Sequence, residues 1–353
     1  MNKRQGTIIA LLLVSFIAGI AVNNIYHKRR GAEYATGTKA SPPQQEGRRR
    51  LVDTREHELR SALDALAKAE GQTAAVLNRK ERILLQTLKD LGNTGGSSIY
   101  NIGIHHYYNN FMEEYLGRDT KPRVLEIGPG INLGTGLIFA MTGSRKYYGL
   151  DIYKDPDLFG APQYESIVKL LSLIAPGRIR MPINAVMTIR DGQVSFDKNK
   201  IEYLYPHQSY DIPVTDGSLD FVFSHATFEH IADPLKTIAA IHRVLRKGGI
   251  TAHQIDLRDH RDFSRPLEFL KIDADTWKNK YKDPARAPWF MNRWRASEFK
   301  GAFEKQGFQV LKLQPNETYP VSDELRKSLH QDFQKYSLED LSIVGVLIIA
   351  KKP

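Results

Sequence analysis

The chain has 353 residues, room for one large catalytic domain with appendages, and is 41% hydrophobic and 25% charged, the balance of an ordinary globular protein. It contains no cysteine, which excludes disulfides, thiolate metal sites and cysteine nucleophiles. Its net charge of +10 is uneven: residues 1–50 hold nine Lys/Arg against two Asp/Glu, so +7 lies there and +3 on everything after. An enzyme of nucleic acids more often carries its basic patch on the folded domain, so no nucleic-acid partner is expected.

No charged side chain interrupts Gln5 to Tyr26, and Ile8–Val22 is almost continuously apolar. A helix of about 20 residues spans the hydrocarbon core of a bilayer. Residues 1–30 are therefore expected to be a single-pass transmembrane anchor, with Lys3 and Arg4 before the apolar run and Lys28, Arg29 and Arg30 after it. A cleaved signal peptide ending near Gly19-Ile-Ala21 is the alternative, and the dense positive charge after the run counts against it. Both flanks are basic, so the charge asymmetry favours a cytoplasmic catalytic side only slightly.

Residues 31–50, with Ser41-Pro-Pro-Gln-Gln-Glu-Gly47, read as a flexible linker. Residues 51–98 are helical in pattern: Leu59, Leu63, Leu66, Leu77, Leu84 and Leu91 fall near heptad spacing. Glu70, Thr73 and Lys80 occupy seam positions and Gly71 interrupts the run, which argues against a long coiled coil. Two amphipathic helices over 51–91, packed on the domain or on a second copy as a homo-oligomer contact, remain open beside a plain spacer. Gly92–Ser98 closes this region, and residues 99–353 are the expected catalytic domain.

From Ile99 onward helix and strand alternate, which predicts an α/β sheet with right-handed crossovers. Expected strands are Arg123–Ile127, Tyr147–Leu150, Ile201–Tyr205, Leu219–Ser224, Gly249–Ile255, Phe308–Leu313 and Ser342–Ala350. Helices follow the first two, Pro234–Leu245 lies between the fourth and fifth, and the last two are expected to pair as an antiparallel edge. Lys154–Lys200 is a long insertion.

Arg123-Val-Leu-Glu-Ile-Gly-Pro-Gly-Ile-Asn-Leu-Gly-Thr-Gly136 reads as a buried strand ending at Glu126, a glycine turn and a helix start. Gly128 and Gly130 permit a tight turn and close approach of a ligand. Asp151 closes the next strand, and carboxylates at the ends of two successive strands suit a nucleoside, whose ribose hydroxyls they can accept. On its own the turn is also compatible with ordinary strand-to-helix geometry. A second block, Ile212-Pro-Val-Thr-Asp-Gly-Ser-Leu-Asp-Phe-Val-Phe-Ser-His-Ala-Thr-Phe-Glu-His230, runs on to Ile241-His-Arg-Val-Leu-Arg-Lys-Gly-Gly249. It reads as turn, buried strand, exposed loop, helix and a Gly-Gly stop. Ser224, His225, Glu229 and His230 lie beyond the strand's carboxyl end, where open sheets bind ligands.

Together these blocks resemble those of the class I S-adenosylmethionine-dependent methyltransferases of the small-molecule type, over about residues 100–353. They are specific for the superfamily and not for a substrate. The resemblance implies a Rossmann-like, seven-stranded, mostly parallel sheet and S-adenosylmethionine as cofactor. It implies that Glu126, Gly128 and Gly130 contact the methionine portion and nearby ribose, and that Asp151 takes the ribose hydroxyls. The loop before Asp211 would flank adenine, with Gln208 in place of the family's acidic residue and Ser209 beside it. Ser224 or His225 would sit near the methionine portion and methyl group. Asn132 is a further departure, in place of the usual third glycine.

The sulfonium is already activated, so catalysis needs chiefly in-line positioning, plus a base for an oxygen nucleophile. Candidate bases are His225, His230, Asp256, Asp259 and His260, with His230 and Asp256 chosen as the catalytic pair. His230 could instead cap the following helix or pack beneath the cofactor, and Asp256 could be a loop carboxylate satisfied by Arg258. Clustered His and Asp could hold a divalent ion, but no compact ligand spacing is apparent and no metal site is expected. Trp289-Phe-Met-Asn-Arg-Trp-Arg295 resembles a segment of bacterial methyltransferases linked to surface polysaccharide. Trp can stack on sugars and Arg can hold phosphate, so a small-molecule or glycan acceptor at the membrane is expected; Phe290 and Trp294 as core anchors is the bland alternative. Two other classes stay open: a nicotinamide-dependent oxidoreductase, against which stands Leu133 where its fingerprint wants a third glycine, and an inactive membrane scaffold.

Overall fold

The computed structural model describes residues 98–154, 158–282 and 290–353. The expected anchor (1–30), the linker (31–50), the helical segment up to residue 97, and Trp289 lie outside the described residues. Among the described residues no helix is long and apolar enough to cross a membrane. Strands in chain order are β1 (Arg123–Ile127), β2 (Lys146–Leu150), β3 (Met187–Arg190), β4 (Gln193–Phe196), β5 (Ile201–Leu204), β6 (Leu219–His225), β7 (Leu245–Asp256), β8 (Gln309–Thr318) and β9 (Ile343–Lys351). The longer helices are α1 (Ser98–Leu116), α2 (Gly134–Thr142), α3 (Ala161–Ile174), α4 (Pro234–Val244), α5 (Ala274–Lys280) and α6 (Ala296–Lys305). The chain divides into two compact units, one including 98–110, 131–144 and 158–201, the other Phe111–Gly130, Arg145–Lys154 and the described part of Glu202–Pro353.

The second unit carries the expected seven-stranded, mostly parallel sheet, in the order β5-β2-β1-β6-β7-β9-β8. β1 pairs in parallel with β2 and β6, β6 in parallel with β7, and β9 runs antiparallel to both β7 and β8. Val124, Leu125, Ile127, Phe221, Val222 and Phe223 are all at most 2% exposed, as apolar runs buried on both faces of a parallel sheet must be. Strand succession moves from β1 to one side, through β2 and β5, then resumes on the other side at β6. That reversal opens a crevice at the carboxyl ends of β1 and β6.

On the sheet pack α4, through Ile238, Ile241 and Val244, and α6, through Phe299 and Phe303. Asp233 starts α4 by accepting from the Lys236 amide at 3.0 Å, with Pro234 in the first helical position. The Lys352 ammonium ends it, donating to the His242 and Leu245 carbonyls at 2.7 and 2.8 Å. The expected Gly-Gly stop is therefore corrected: β7 begins at Leu245, and Gly248 and Gly249 lie inside it. Arg246 holds this early start, pairing with Asp220 at 2.6 Å while the other oxygen of Asp220 accepts the Arg123 amide. β8 also outruns its expected end at Leu313, with three register irregularities and Pro315 within an edge strand.

In the first unit Asn132 explains its own departure from glycine. Its Oδ1 accepts the Gly134 amide at 2.8 Å at the start of α2, and its Nδ2 donates to Gln163 at 3.1 Å. The Lys154–Lys200 insertion contains α3 and a two-stranded hairpin, β3–β4, which the sequence reading did not foresee.

Phe290 and Trp294 are core anchors: Phe290 packs on a second apolar cluster around Trp277, and Trp294 packs on Phe299. Arg293 donates to the Phe269 and Ile272 carbonyls, and fully buried Arg295 to those of Leu257, Leu341 and Ile343. Burial lowers the Arg295 pKa to about 10, so it stays charged at neutral pH. Both guanidiniums bridge backbone segments and neither is presented to an acceptor phosphate. Arg295→Leu strands three buried carbonyls and is expected to lower unfolding free energy by about 3 kcal/mol in urea titration, with little change in m.

Candidate active site

Glu126 sits within β1, one residue short of its end and only 4% exposed. The Tyr147 hydroxyl on β2 donates to its Oε2. Burial is the main influence on this carboxyl and raises its pKa to about 7; the Tyr147 hydrogen bond opposes the rise, and the charge of Asp151 adds to it. Asp151 follows β2 directly. Its amide donates to Leu204 at 3.1 Å and its carbonyl accepts from His207 at 3.0 Å, so the loop after β5 is stitched to it. Its Oδ1 accepts the Tyr153 amide at 3.0 Å.

Between these carboxylates, Gly128 and Gly130 have φ of +74° and +77°. The Gly128 amide donates to Leu150 at 2.9 Å, tying the turn to the end of β2. A Cβ on Gly128 would lie 2.5 Å from both Cγ2 and Oγ1 of Thr227, whereas one on Gly130 would meet nothing within 4 Å. Gly128 is thus pressed against the loop after β6, and Gly130 faces open space.

That loop kinks at Ala226, a non-glycine residue at φ +48°, whose amide donates to Gln254 at 2.9 Å. Half-buried His225 ends β6, and its carbonyl accepts from the Thr227 hydroxyl at 3.1 Å. The next turn, Phe228–His230, buries Phe228 and Glu229 and leaves His230 partly exposed. His230 Nδ1 meets the Phe290 carbonyl at 2.8 Å. A carbonyl only accepts, so Nδ1 carries the proton and Nε2 is the basic nitrogen. Helix capping by His230 is corrected, because Asp233 supplies the cap.

Three expected site residues have side chains held by partners within the protein. Ser224 is fully buried, with its hydroxyl 2.8 Å from His253 Nδ1; Thr251 holds the other ring nitrogen at 2.6 Å. Burial lowers the His253 pKa to about 3, so this chain is a neutral polar strut across β6 and β7. Ser209 joins its hydroxyl to that of Thr237 at 2.7 Å, while neighbouring Gln208 is exposed. Asp256 is the last residue of β7, in a bidentate pair with Arg258 at 2.9 and 2.7 Å, and it also accepts the Arg258 amide. A carboxylate so held makes a poor general base, and the pairing with Arg258 weighed for Asp256 is present. The structure does gather Glu126, Gly128, Gly130, Asp151, the 207–209 loop and His225 at the carboxyl ends of β1, β2, β5 and β6. Thr227 and His207 join that set, and Tyr147 supports Glu126 from within β2, none of the three having been foreseen.

A model of the methyltransferase domain matches residues 100–313. The chain belongs to the methyltransferase domain family. It is a class I S-adenosylmethionine-dependent methyltransferase, and S-adenosylmethionine is its cofactor. The oxidoreductase alternative falls with that result. No curated protein matches the chain. Similar solved structures include a methyltransferase of Haloferax volcanii in complex with the Trm112 activator, at 16% identity, covering 72% of this chain and 93% of that one with a TM-score of 0.37. A methyltransferase of Mesorhizobium loti is 14% identical, covers 72% and 98%, and has a TM-score of 0.38. Phosphoethanolamine N-methyltransferase 2 of Haemonchus contortus, bound to S-adenosylhomocysteine, is 16% identical, covers 70% and 52%, and has a TM-score of 0.37.

The two glycines of this methyltransferase separate folding from binding. Gly130→Ala accepts an αL strain of about 1–2 kcal/mol; the variant is expected to fold yet bind S-adenosylmethionine at least about tenfold more weakly in calorimetry. Gly128→Ala adds the collision with Thr227 and should lose more stability, part of which returns in the Gly128→Ala/Thr227→Ala pair.

Proposed function

We propose that this enzyme transfers the methyl group of S-adenosylmethionine to an oxygen nucleophile on a small-molecule or glycan acceptor, at the cytoplasmic face of a membrane to which residues 1–30 tether it. The observation that carries the reading is the buried Glu126 carboxyl beside an open glycine turn and Asp151. In this reading Glu126 and the turn hold the methionine portion and nearby ribose, Asp151 takes the ribose hydroxyls, and the 207–209 loop flanks adenine. His225, at the end of β6, lies toward the methyl group. The acceptor oxygen attacks the methyl carbon in line, the carbon–sulfur bond breaks with its electron pair passing to sulfur, and His230 Nε2 takes the acceptor proton.

The uninterrupted Gln5–Tyr26 run and its basic flanks support the tether. A cofactor made in the cytosol supports a cytoplasmic active site. Residues 51–91 would set the distance to the bilayer or pair two copies. Arg293 and Arg295, committed to backbone carbonyls, lend no weight to a glycan over another small acceptor. Labelled methyl transfer from S-adenosylmethionine into cell-envelope extracts tests the acceptor class, and the full chain should sediment with membranes while a chain lacking residues 1–30 should not. Incorporation confined to cytosolic extracts, or a full chain that stays soluble, would remove the membrane part of the proposal.

Glu126 sets the pH dependence. In the unliganded protein a carboxyl pKa raised from 4.5 to about 7 makes its contribution to stability fall as pH rises across that window. Cofactor hydroxyls and amino groups donate to the ionised form, so binding draws Glu126 toward ionisation and strengthens with pH. Affinity should rise about tenfold from pH 6 to pH 8 by calorimetry, with proton release on binding, and Glu126→Gln should bind weakly with a flat profile. A flat wild-type profile would take Glu126 out of the site.

A further inference from the structure

We infer that Glu229, His230 and His260 form a binding site for a divalent first-row transition-metal ion, with Zn²⁺ the best match to the donor set. One donor atom from each of the three lies within 4.8 Å of the others. Donors about 2.0–2.1 Å from a tetrahedral ion stand roughly 3.3–3.5 Å apart, so small side-chain rotations close the site. Two imidazoles and one carboxylate form a set used by zinc and by other first-row ions, whereas Mg²⁺ and Ca²⁺ prefer oxygen alone.

The scaffold holds these donors in place. Asn292 clamps the Phe228–His230 turn: its amide donates to the Glu229 carbonyl at 2.8 Å, and its Nδ2 to those of Phe228 and Ile231 at 2.8 and 3.1 Å. The Phe290 carbonyl fixes the Nδ1–H of His230 and so presents Nε2 as a ligand, the outer support typical of metal-bound histidine. His260 comes from the segment after β7, with its ring centroid 5.0 Å from that of His230 and 5.6 Å from that of Phe263. Its Nε2 stands 3.5 Å from Asp256 Oδ2.

Local charge favours a cation as well. Glu229 is 1% exposed, and the neighbouring cation is Arg258, whose guanidinium pairs with Asp256 and with Glu317 at 2.7 Å while also sensing Glu229. Three carboxylates thus share that guanidinium, and a divalent ion would add positive charge among them. His230 and His260 are each partly exposed, so a three-ligand ion would keep an open position at the carboxyl ends of β6 and β7. There it would hold the acceptor oxygen and lower its pKa, so that the acceptor binds as its oxyanion after releasing its proton to solvent. In that loaded state His230 is a ligand, not the base. This role rests on the methyl-transfer reading; the site itself rests on the residues alone.

The test is calorimetric titration of the full-length, chelator-stripped chain with Zn²⁺ and separately with Mn²⁺, together with the absorption spectrum of the Co²⁺ form. The expected result is one tight Zn²⁺ per chain and a Co²⁺ spectrum of a nitrogen- and oxygen-ligated, low-coordinate ion. His260→Ala, whose side chain is on a partly exposed segment, should weaken Zn²⁺ at least 100-fold while S-adenosylmethionine affinity and the circular dichroism spectrum hold. Glu229→Gln should behave alike; if it fails to fold, His230→Ala replaces it. No stoichiometric binding by the wild type overturns the proposal. So does Zn²⁺ binding that both variants leave unchanged. Loss of S-adenosylmethionine binding with the Zn²⁺ site intact would count instead against the methyl-transfer reading.

Discussion

The contact between Gly128 and Thr227 sets the geometry on which the rest of the site depends. β1 and β6 are neighbours in the sheet, but their outgoing chains part in opposite directions, and something must fix how closely the two loops approach. A missing Cβ does so: a single added carbon would stand 2.5 Å from two atoms of Thr227. With the loops pressed together, the positive φ at Gly128 and Gly130 turns the chain away from the sheet and leaves Gly130 facing open space. The kink at Ala226 is the answering feature on β6. It lets His225 end the strand while Glu229 and His230 swing toward the segment that follows β7.

Burial acts on the ionisable groups around this crevice in two opposite ways. His253 has hydroxyl partners on both ring nitrogens and is driven down to about 3, which removes it from any proton chemistry near neutrality. Glu126 is buried nearly as deeply but has one phenol for a partner and Asp151 nearby, and it is driven up to about 7. The first is a strut and the second is poised to respond to a ligand. Arg258, Arg293 and Arg295 are fixed by carboxylates or carbonyls, so none of the three behaves as a mobile charge at the site.

Much of this was legible in the sequence, for identifiable reasons. Central strands are short apolar runs, and Val124–Ile127 and Phe221–Phe223 could hardly read otherwise. Glu126, Gly128, Gly130 and Asp151 were legible because glycine turns and strand-end acids are local patterns. What escaped depends on cross-strand partners. Ser224 looks like a ligand-facing hydroxyl until His253, 29 residues away, is seen to hold it. The β3–β4 hairpin is an exception: Asp191-Gly192 is a two-residue turn between Met187-Thr-Ile-Arg190 and Gln193-Val-Ser-Phe196, which alternate apolar and polar residues, so its signal is local and the sequence reading passed over it. Asp256 and Arg258 form an i, i+2 pair that sequence alone could weigh but not decide. His260 joins Glu229 and His230 only because β6 and β7 are adjacent and parallel, which brings the segments after both strands to one end of the sheet.

That adjacency also joins the two halves of the proposed reaction on one loop. Thr227 presses on the Gly128 turn, and Glu229 follows two residues later, so in the proposed reading the loop after β6 bears on the methyl donor with one side chain and on the acceptor region with the other. Methyl transfer needs donor carbon and acceptor oxygen in line at a fixed separation, and little else from the protein. A loop clamped at one end by Gly128 and at the other by Asn292 is suited to hold that separation. A flexible loop there would lose rate through misplacement even with every binding group intact. The rigidity of this short segment, more than the strength of any single base, is therefore the property on which turnover should depend.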